Sequence, residues 1–144
     1  MGVEEFATFD DVPVGRTDPP NSSTLAREQV DRFVAAIEET NPLFSDEEAA
    51  KESEWGGVIA PCTASQLYGR RDGSRKSPQA GGIHAKHYYE FHHPARVGDT
   101  LTNKTTIVDK YIKRERKYVV QVTVTTNQDG QVVCIARLTA IMPA

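Results

Sequence analysis

The stretch that decides the fold runs from residue 83 to residue 142: IHAKHYYEFHHPARVGDTLTNKTTIVDKYIKRERKYVVQVTVTTNQDGQVVCIARLTAIM. Its apolar residues recur at period two, the signature of strands with one covered face. Ile83, Ala85, Tyr89 and Phe91 are predicted to share a face, and Pro94 with Gly98-Asp99 to make a turn. A long strand from Leu101 to Ile112 follows, then a charged tip at Lys113–Lys117. Val120, Val122 and Val124 lie on one face of the next strand, and Asn127-Gln128-Asp129-Gly130 turns the chain into a last strand, Val132–Met142. Three long antiparallel strands and one before them form a meander that needs a cover.

The first part of the chain supplies it. Residues 1–20 hold Pro13, Pro19 and Pro20 and read as extended. From Arg27 to Glu39, Val30, Phe33, Val34 and Ile37 fall at i, i+3, i+4 and i+7, which predicts an amphipathic helix stopped by Asn41-Pro42. Ser45 with Glu48 fits a capping box for a short helix to about Ser53. Trp55-Gly56-Gly57 turns into a buried apolar segment, and Pro61 suits the first position of a third helix. That helix, through Tyr68 to a stop at Gly69, is rich in small residues and is predicted to be enclosed. Residues 70–82 read as a mobile loop with Arg70, Arg71, Arg75 and Lys76. The fold class is α+β, an antiparallel sheet wrapped on a central helix.

At 144 residues, the chain is predicted to be a single domain, 1–144. Seventeen basic against twenty acidic residues, without long charge blocks, give no electrostatic case for nucleic acid. No apolar run approaches the ~18 residues of a membrane span, and the start MGVEEFATFDD lacks a signal-peptide layout. Two distant cysteines, Cys62 and Cys134, suit free buried thiols in a cytoplasmic protein.

Several residues could carry chemistry. His84, His87, His92 and His93 crowd one strand and its end. In regular alternation His84 and His87 point to opposite faces, as do His92 and His93, so no metal set forms. A cleft-lining histidine and a solvated one both remain open. Cys62 at a helix start could have a lowered thiol pKa, but packing is the plainer role. The backbone amides there could receive an oxyanion or a polarised carbonyl. Arg70 and Arg71 in the basic loop could meet phosphates of a coenzyme A or carrier arm, or simply be solvated. The tip Lys113–Lys117 reads as a solvated hairpin end, and Glu38, Glu39, Asp46, Glu47 and Glu48 as capping or solvated carboxylates.

Four segments together resemble the MaoC-like hydratase/dehydratase group of the hot dog fold: the helix Arg27–Glu39, Asn41-Pro42-Leu43-Phe44, Gly56-Gly57-Val58-Ile59-Ala60-Pro61, and Phe91-His92-His93-Pro94-Ala95-Arg96-Val97-Gly98-Asp99-Thr100-Leu101. Order and spacing are kept over about residues 20–142, most closely as in the N-terminal fatty-acid-synthase-type dehydratase domain. The resemblance implies a sheet curled round helix 61–69, paired with a second such unit into a double hot dog. It implies hydration of trans-2-enoyl thioesters or dehydration of (R)-3-hydroxyacyl thioesters, on fatty or steroid acyl chains, with no metal or other cofactor.

The family's catalytic segment reads Asp-x-Asn-Pro-x-His. Here it is Glu39-Thr40-Asn41-Pro42-Leu43-Phe44, so Glu39 stands at the aspartate position and Phe44 at the histidine position. Phe44 cannot move a proton, and losing an acid–base partner costs ~10²–10⁴ in rate. Asn41, Phe44, Pro61, Cys62, Thr63, Arg70 and Arg71 are the substrate-binding candidates carried over, with the Cys62 and Thr63 amides at the helix start because Pro61 has no N–H. The first expectation is therefore a substrate-holding subunit, in a heterodimer or heterotetramer with a catalytic MaoC-like chain. An active homodimer using His84 or His87 with Glu39 is the second. An acyl-CoA-binding protein or thioesterase with a Glu39 or Glu38 base is the third.

Overall fold

A computed structural model describes residues 8–68 and 82–143. Arg70, Arg71, the rest of the basic loop and the Gly69 stop lie outside the described residues. Five antiparallel strands form one sheet: β1 (Asn21–Thr24), β2 (Ile83–Phe91), β3 (Thr100–Lys113), β4 (Arg116–Thr126) and β5 (Val132–Ile141), in the order β1-β3-β4-β5-β2. The three long strands were expected, and β1 was not. It is polar, Asn-Ser-Ser-Thr, and pairs along the edge of β3 because Thr100–Asn103 offers it free backbone groups there. The helices are α1 (Arg27–Ala36), α2 (Glu47–Glu52) and two 3₁₀ helices, Pro42–Phe44 and Cys62–Leu67. Among the described residues no helix is long and apolar enough to cross a membrane.

Two irregularities decide which side chains share a face. In β2 the pairing passes from His84↔Ala140 to Lys86↔Thr139, leaving Ala85 as a bulge. In β3 it passes from Ile107↔Gln121 to Asp109↔Val120, leaving Val108 unpaired. A bulge shifts the alternation by one residue. Ile83 thus faces away from Tyr89 and Phe91, and His84 and His87, predicted to oppose, lie on one face with ring centroids 4.9 Å apart.

The inner face, toward the helices, holds Leu101, Ile107, Val119 and Cys134, all buried. Val120, Val122 and Val124 do share a face, but it is the outer one, which carries Lys86, Tyr88, Arg137 and Thr139 from neighbouring strands.

One core joins α1 (Val30, Val34), the segment Val58–Ala60, Ala64, Tyr68 and Ala95 to Leu101, Val133 and Cys134. A smaller one seats Phe9 and Val12 on Ile107 and Val119, held by Lys110 Nζ donating to the carbonyls of Phe9 and Asp10.

The turn Pro94–Thr100 binds the pieces together. Ala60 N–H donates to Ala95 O at 2.8 Å and Val97 N–H to Val58 O at 2.9 Å. Asp99, 5% exposed, accepts from Arg96 N–H at 2.8 Å and Gln128 Nε2 at 3.0 Å, while its own carbonyl receives Leu25 N–H. Arg96 lies across Gly56-Gly57 and donates to Trp55 O; a Cβ on Gly57 would sit 3.1 Å from Arg96 Cδ.

Three helix boundaries differ from expectation. α1 ends at Ala36 rather than Glu39. Glu38 takes a left-handed φ of 54°, its N–H reaches Ala35 O, and Glu39 N–H reaches Val34 O, closing a Schellman turn without the usual glycine. α2 is capped by Asp46, whose Oδ1 accepts from Glu48 and Ala49, not by Ser45. The third helix is 3₁₀ rather than α, with Pro61 as its cap.

The β3–β4 hairpin closes through Arg114 and Glu115, both left-handed (φ 49° and 62°), where such turns favour Asn-Gly. The left-handed conformation costs a residue with a Cβ roughly 1–2 kcal/mol.

Two outcomes follow for stability. Asp99→Ala removes two bonds to a buried carboxylate and should lower the unfolding free energy by about 2–3 kcal/mol, read by denaturant unfolding. Glu38→Gly relieves the left-handed residue and should raise it by about 1 kcal/mol, with Tm up by ~3 °C.

Candidate functional site

The segment Glu39–Phe44 is built by its own capping bonds. The Schellman turn throws Glu39 off the end of α1. Its Oε1 then accepts from Thr40 N–H at 2.8 Å and Asn41 N–H at 3.0 Å. Asn41 Oδ1 in turn accepts from Leu43 N–H at 3.0 Å, capping the Pro42–Phe44 helix with Pro42 in its first turn. Leu43 O receives Ile59 N–H, which sews this loop to the segment entering the Cys62–Leu67 helix. Glu39 and Asn41 are exposed, whereas Phe44 is half-buried and packs on the main core. The carboxylate and the amide that chemistry would need are therefore engaged in shaping the loop. The aromatic ring is part of the wall beside it.

Pro61 is buried at the head of the 3₁₀ helix, and Cys62 and Thr63 are exposed in its first turn. Cys62 is thus not the packed thiol expected from sequence. That role belongs to Cys134, 2% exposed, whose thiol burial pushes up. Both cysteines are free. The far end of the helix is tied to the sheet, with Asn103 Nδ2 donating to Tyr68 O at 2.6 Å and Thr125 Oγ1 to Asn103 Oδ1 at 2.7 Å. Burial raises the Tyr68 hydroxyl far above the ordinary tyrosine range.

Along β2 the bulge lines up His84, His87, Tyr89 and Phe91 on the inner face. His87 stacks on Tyr89 at 4.1 Å with Nδ1 3.4 Å from its hydroxyl, and Tyr89 stacks on Phe91 at 5.6 Å. No hydrogen bond or ion pair joins His84 to Glu39 among the described residues. His92 Nε2 lies 3.2 Å from Glu90 Oε2. His93 stands edge-on to Trp55 at 5.7 Å, in a cleft of about 270 Å³ also lined by Arg96, Asp99 and Gln131.

Trp55 and His93 are the pair that sequence reasoning missed. They lie 38 positions apart, and tertiary pairing around the Ile59↔Arg96 bridge brings their segments together. Among the described residues no group of three His, Cys, Asp or Glu side chains is placed to hold a metal.

Known proteins share this architecture. The model of the FAS1-like dehydratase domain region matches residues 13–136. A UPF0336 protein of Saccharopolyspora erythraea is 29% identical over 136 residues, spanning 89% of this chain and 87% of its own. The R-hydratase PhaJ1 of Pseudomonas aeruginosa superimposes with a TM-score of 0.77 at 22% identity, over 94% of this chain and 84% of its own. The C-terminally truncated HadBC (3R-hydroxyacyl-ACP dehydratase) complex of Mycobacterium tuberculosis gives 0.74 at 27% identity, over 90% and 96%. The fold is the hot dog of the MaoC-like hydratases, and the chain belongs to the FAS1-like dehydratase domain family.

Proposed function

We propose that this chain is the substrate-holding half of a hydratase/dehydratase acting on enoyl and 3-hydroxyacyl thioesters, paired with a second chain that carries an intact Asp/His dyad. The observation that carries this reading is the fate of the two catalytic positions. Phe44, packed on the core, has no proton to give, and the Glu39 carboxylate is bound by two backbone amides of its own loop. Hydration bonds a water oxygen to C3 and a proton to C2 as the C2=C3 π bond is consumed; dehydration reverses both. Each direction needs a base and an acid poised at those carbons, worth ~10²–10⁴ in rate. In this reading the partner supplies both.

This chain then contributes surfaces. Phe44 forms an apolar wall for the acyl chain. The first-turn amides of Cys62 and Thr63, two exposed residues, have no intrahelical acceptor and in this reading polarise the thioester carbonyl. Among the described residues β2 is an edge strand of the sheet, with Ile83 and Phe91 51% and 47% exposed, the kind of strand to which a partner adds its own. The HadBC complex, a 3R-hydroxyacyl-ACP dehydratase by name, supports an assembly of unlike chains.

The purified chain alone should hydrate crotonyl-CoA and longer enoyl-CoAs at less than about 1% of the rate reached after co-expression with a dyad-bearing partner. Full activity from the chain alone overturns the reading.

A second reading is favoured by one feature. Because of the Ala85 bulge, His84 and His87 share the inner face with Tyr89, so an active homodimer could draw its base from β2. In that case His84→Ala or His87→Ala should cut hydration by the chain alone about 100-fold or more. Rates unchanged by both substitutions eliminate it.

A further inference from the structure

The cations of this chain are distributed unevenly. Those of the first helix and the segment before it have carboxylate partners: Arg16 with Asp18, Arg27 with Asp31, and Arg32 with Glu28. On the outer face of the sheet Lys86, Lys104, Lys113, Arg116 and Arg137 have none among the described residues. This face holds five of the seventeen basic residues but only two of the twenty acidic ones, Asp109 and Glu90. It is a positive surface on a chain whose formal charge is −3.

The hairpin tip repeats the pattern. Lys113 stands directly opposite Arg116, a like-charge rung that weakens a sheet, and left-handed Arg114 and Glu115 close the turn. A solvated tip gains nothing from either choice. Local rules are broken where function asks for it.

Beside the tip the outer face opens into a groove of about 580 Å³ lined by Lys86, His87, Tyr88, Asp109, Tyr111, Val120, Arg137 and Thr139. Its floor is buried, with Val120 3% and Thr139 6% exposed, and Tyr88, 58% exposed, stands at the rim. Tyr111 stacks on Tyr118 at 4.8 Å between the groove and the tip.

We propose that this groove and tip form a docking surface for an acidic polypeptide segment, its carboxylates on Lys113, Arg116, Lys86 and Arg137 and an apolar side chain over Val120 between Tyr88 and Tyr111. Charge complementarity selects an acidic partner. Asp109 in the lining argues against a uniform polyanion such as nucleic acid, and the open sheet face encloses too little for a small ligand. The surface takes Lys86, His87 and Tyr88 from β2 and the rest of its lining from β3, β4 and β5, and it rests on no step of the hydratase reading.

The test uses the full chain and a fluorescein-labelled ten-residue peptide with eight glutamates flanking a central Leu-Phe pair. Anisotropy should show saturable binding that weakens with salt. Arg137→Glu and Lys113→Glu should each weaken it at least tenfold, and Tyr88→Ser at least threefold. Lys113→Glu converts the like-charge rung into an opposite-charge pair with Arg116, so its Tm should hold or rise while binding falls. Loss of binding is then separated from loss of fold.

No saturable binding, binding indifferent to Tyr88→Ser and Lys113→Glu, or tighter variant-sensitive binding of a twelve-nucleotide single strand or of phosphatidylserine vesicles overturns the proposal.

Discussion

The structure depends on the seam between Val58–Ala60 and Ala95–Val97. Two backbone hydrogen bonds and the Ile59↔Arg96 bridge make it, and the buried Asp99 carboxylate holds the turn beside it. On one side of this seam hang Leu25 and α1, through the Asp99 and Gly98 backbone, and the Glu39–Phe44 loop, through Ile59 and Leu43 O. On the other side Gln128 ties in the β4–β5 turn by bonding both the Asp99 carboxylate and Thr100 N–H. A charged group is unusual at such a depth and is tolerable because each of its oxygens has a donor. The residues that make the chain recognisable, from the Gly56-Gly57 pair to Gly98-Asp99, are thus architectural.

That division explains how much was legible in the sequence. The long strands were readable because alternation and the Asn127–Gly130 turn are local signals. α1 was readable because its stripe has the helical period, yet its end was not. Nothing in Ile37-Glu38-Glu39 announces a left-handed residue, since the conformation is imposed by the carbonyls of Val34 and Ala35 and lacks the glycine that usually marks it. β1 escaped notice because four polar residues carry no periodicity.

The bulge at Ala85 had the largest effect. A rule of strict alternation separated His84 from His87, and one extra residue in β2 reunited them. The candidate site was legible only as a position in the chain. That Glu39 would be held by Thr40 and Asn41 follows from the left-handed turn at Glu38, and that Cys62 would be exposed while Cys134 is buried depends on tertiary neighbours.

The two faces of the sheet divide the labour in an unusual way. Toward the helices the middle of the sheet is small and polar, with Thr105 bonded to Thr123 at 2.8 Å and Ala136 and Gln121 beside them. The branched apolar run Val120, Val122, Val124 looks outward instead. Such an inner face loses some burial energy, but it leaves room and hydrogen-bonding capacity on the side that faces the helices.

The closing turn of the β3–β4 hairpin also bears on how the protein acquires its shape. Two-residue turns with left-handed centres nucleate hairpins when Asn-Gly occupies them, because the unfolded chain already visits that geometry. Arg114 and Glu115 seldom do, and the like-charged rung above them repels. The turn itself therefore does little to hold β3 on β4, and the first favourable side-chain pair back from it is the Tyr111–Tyr118 stack, two rungs into the ladder.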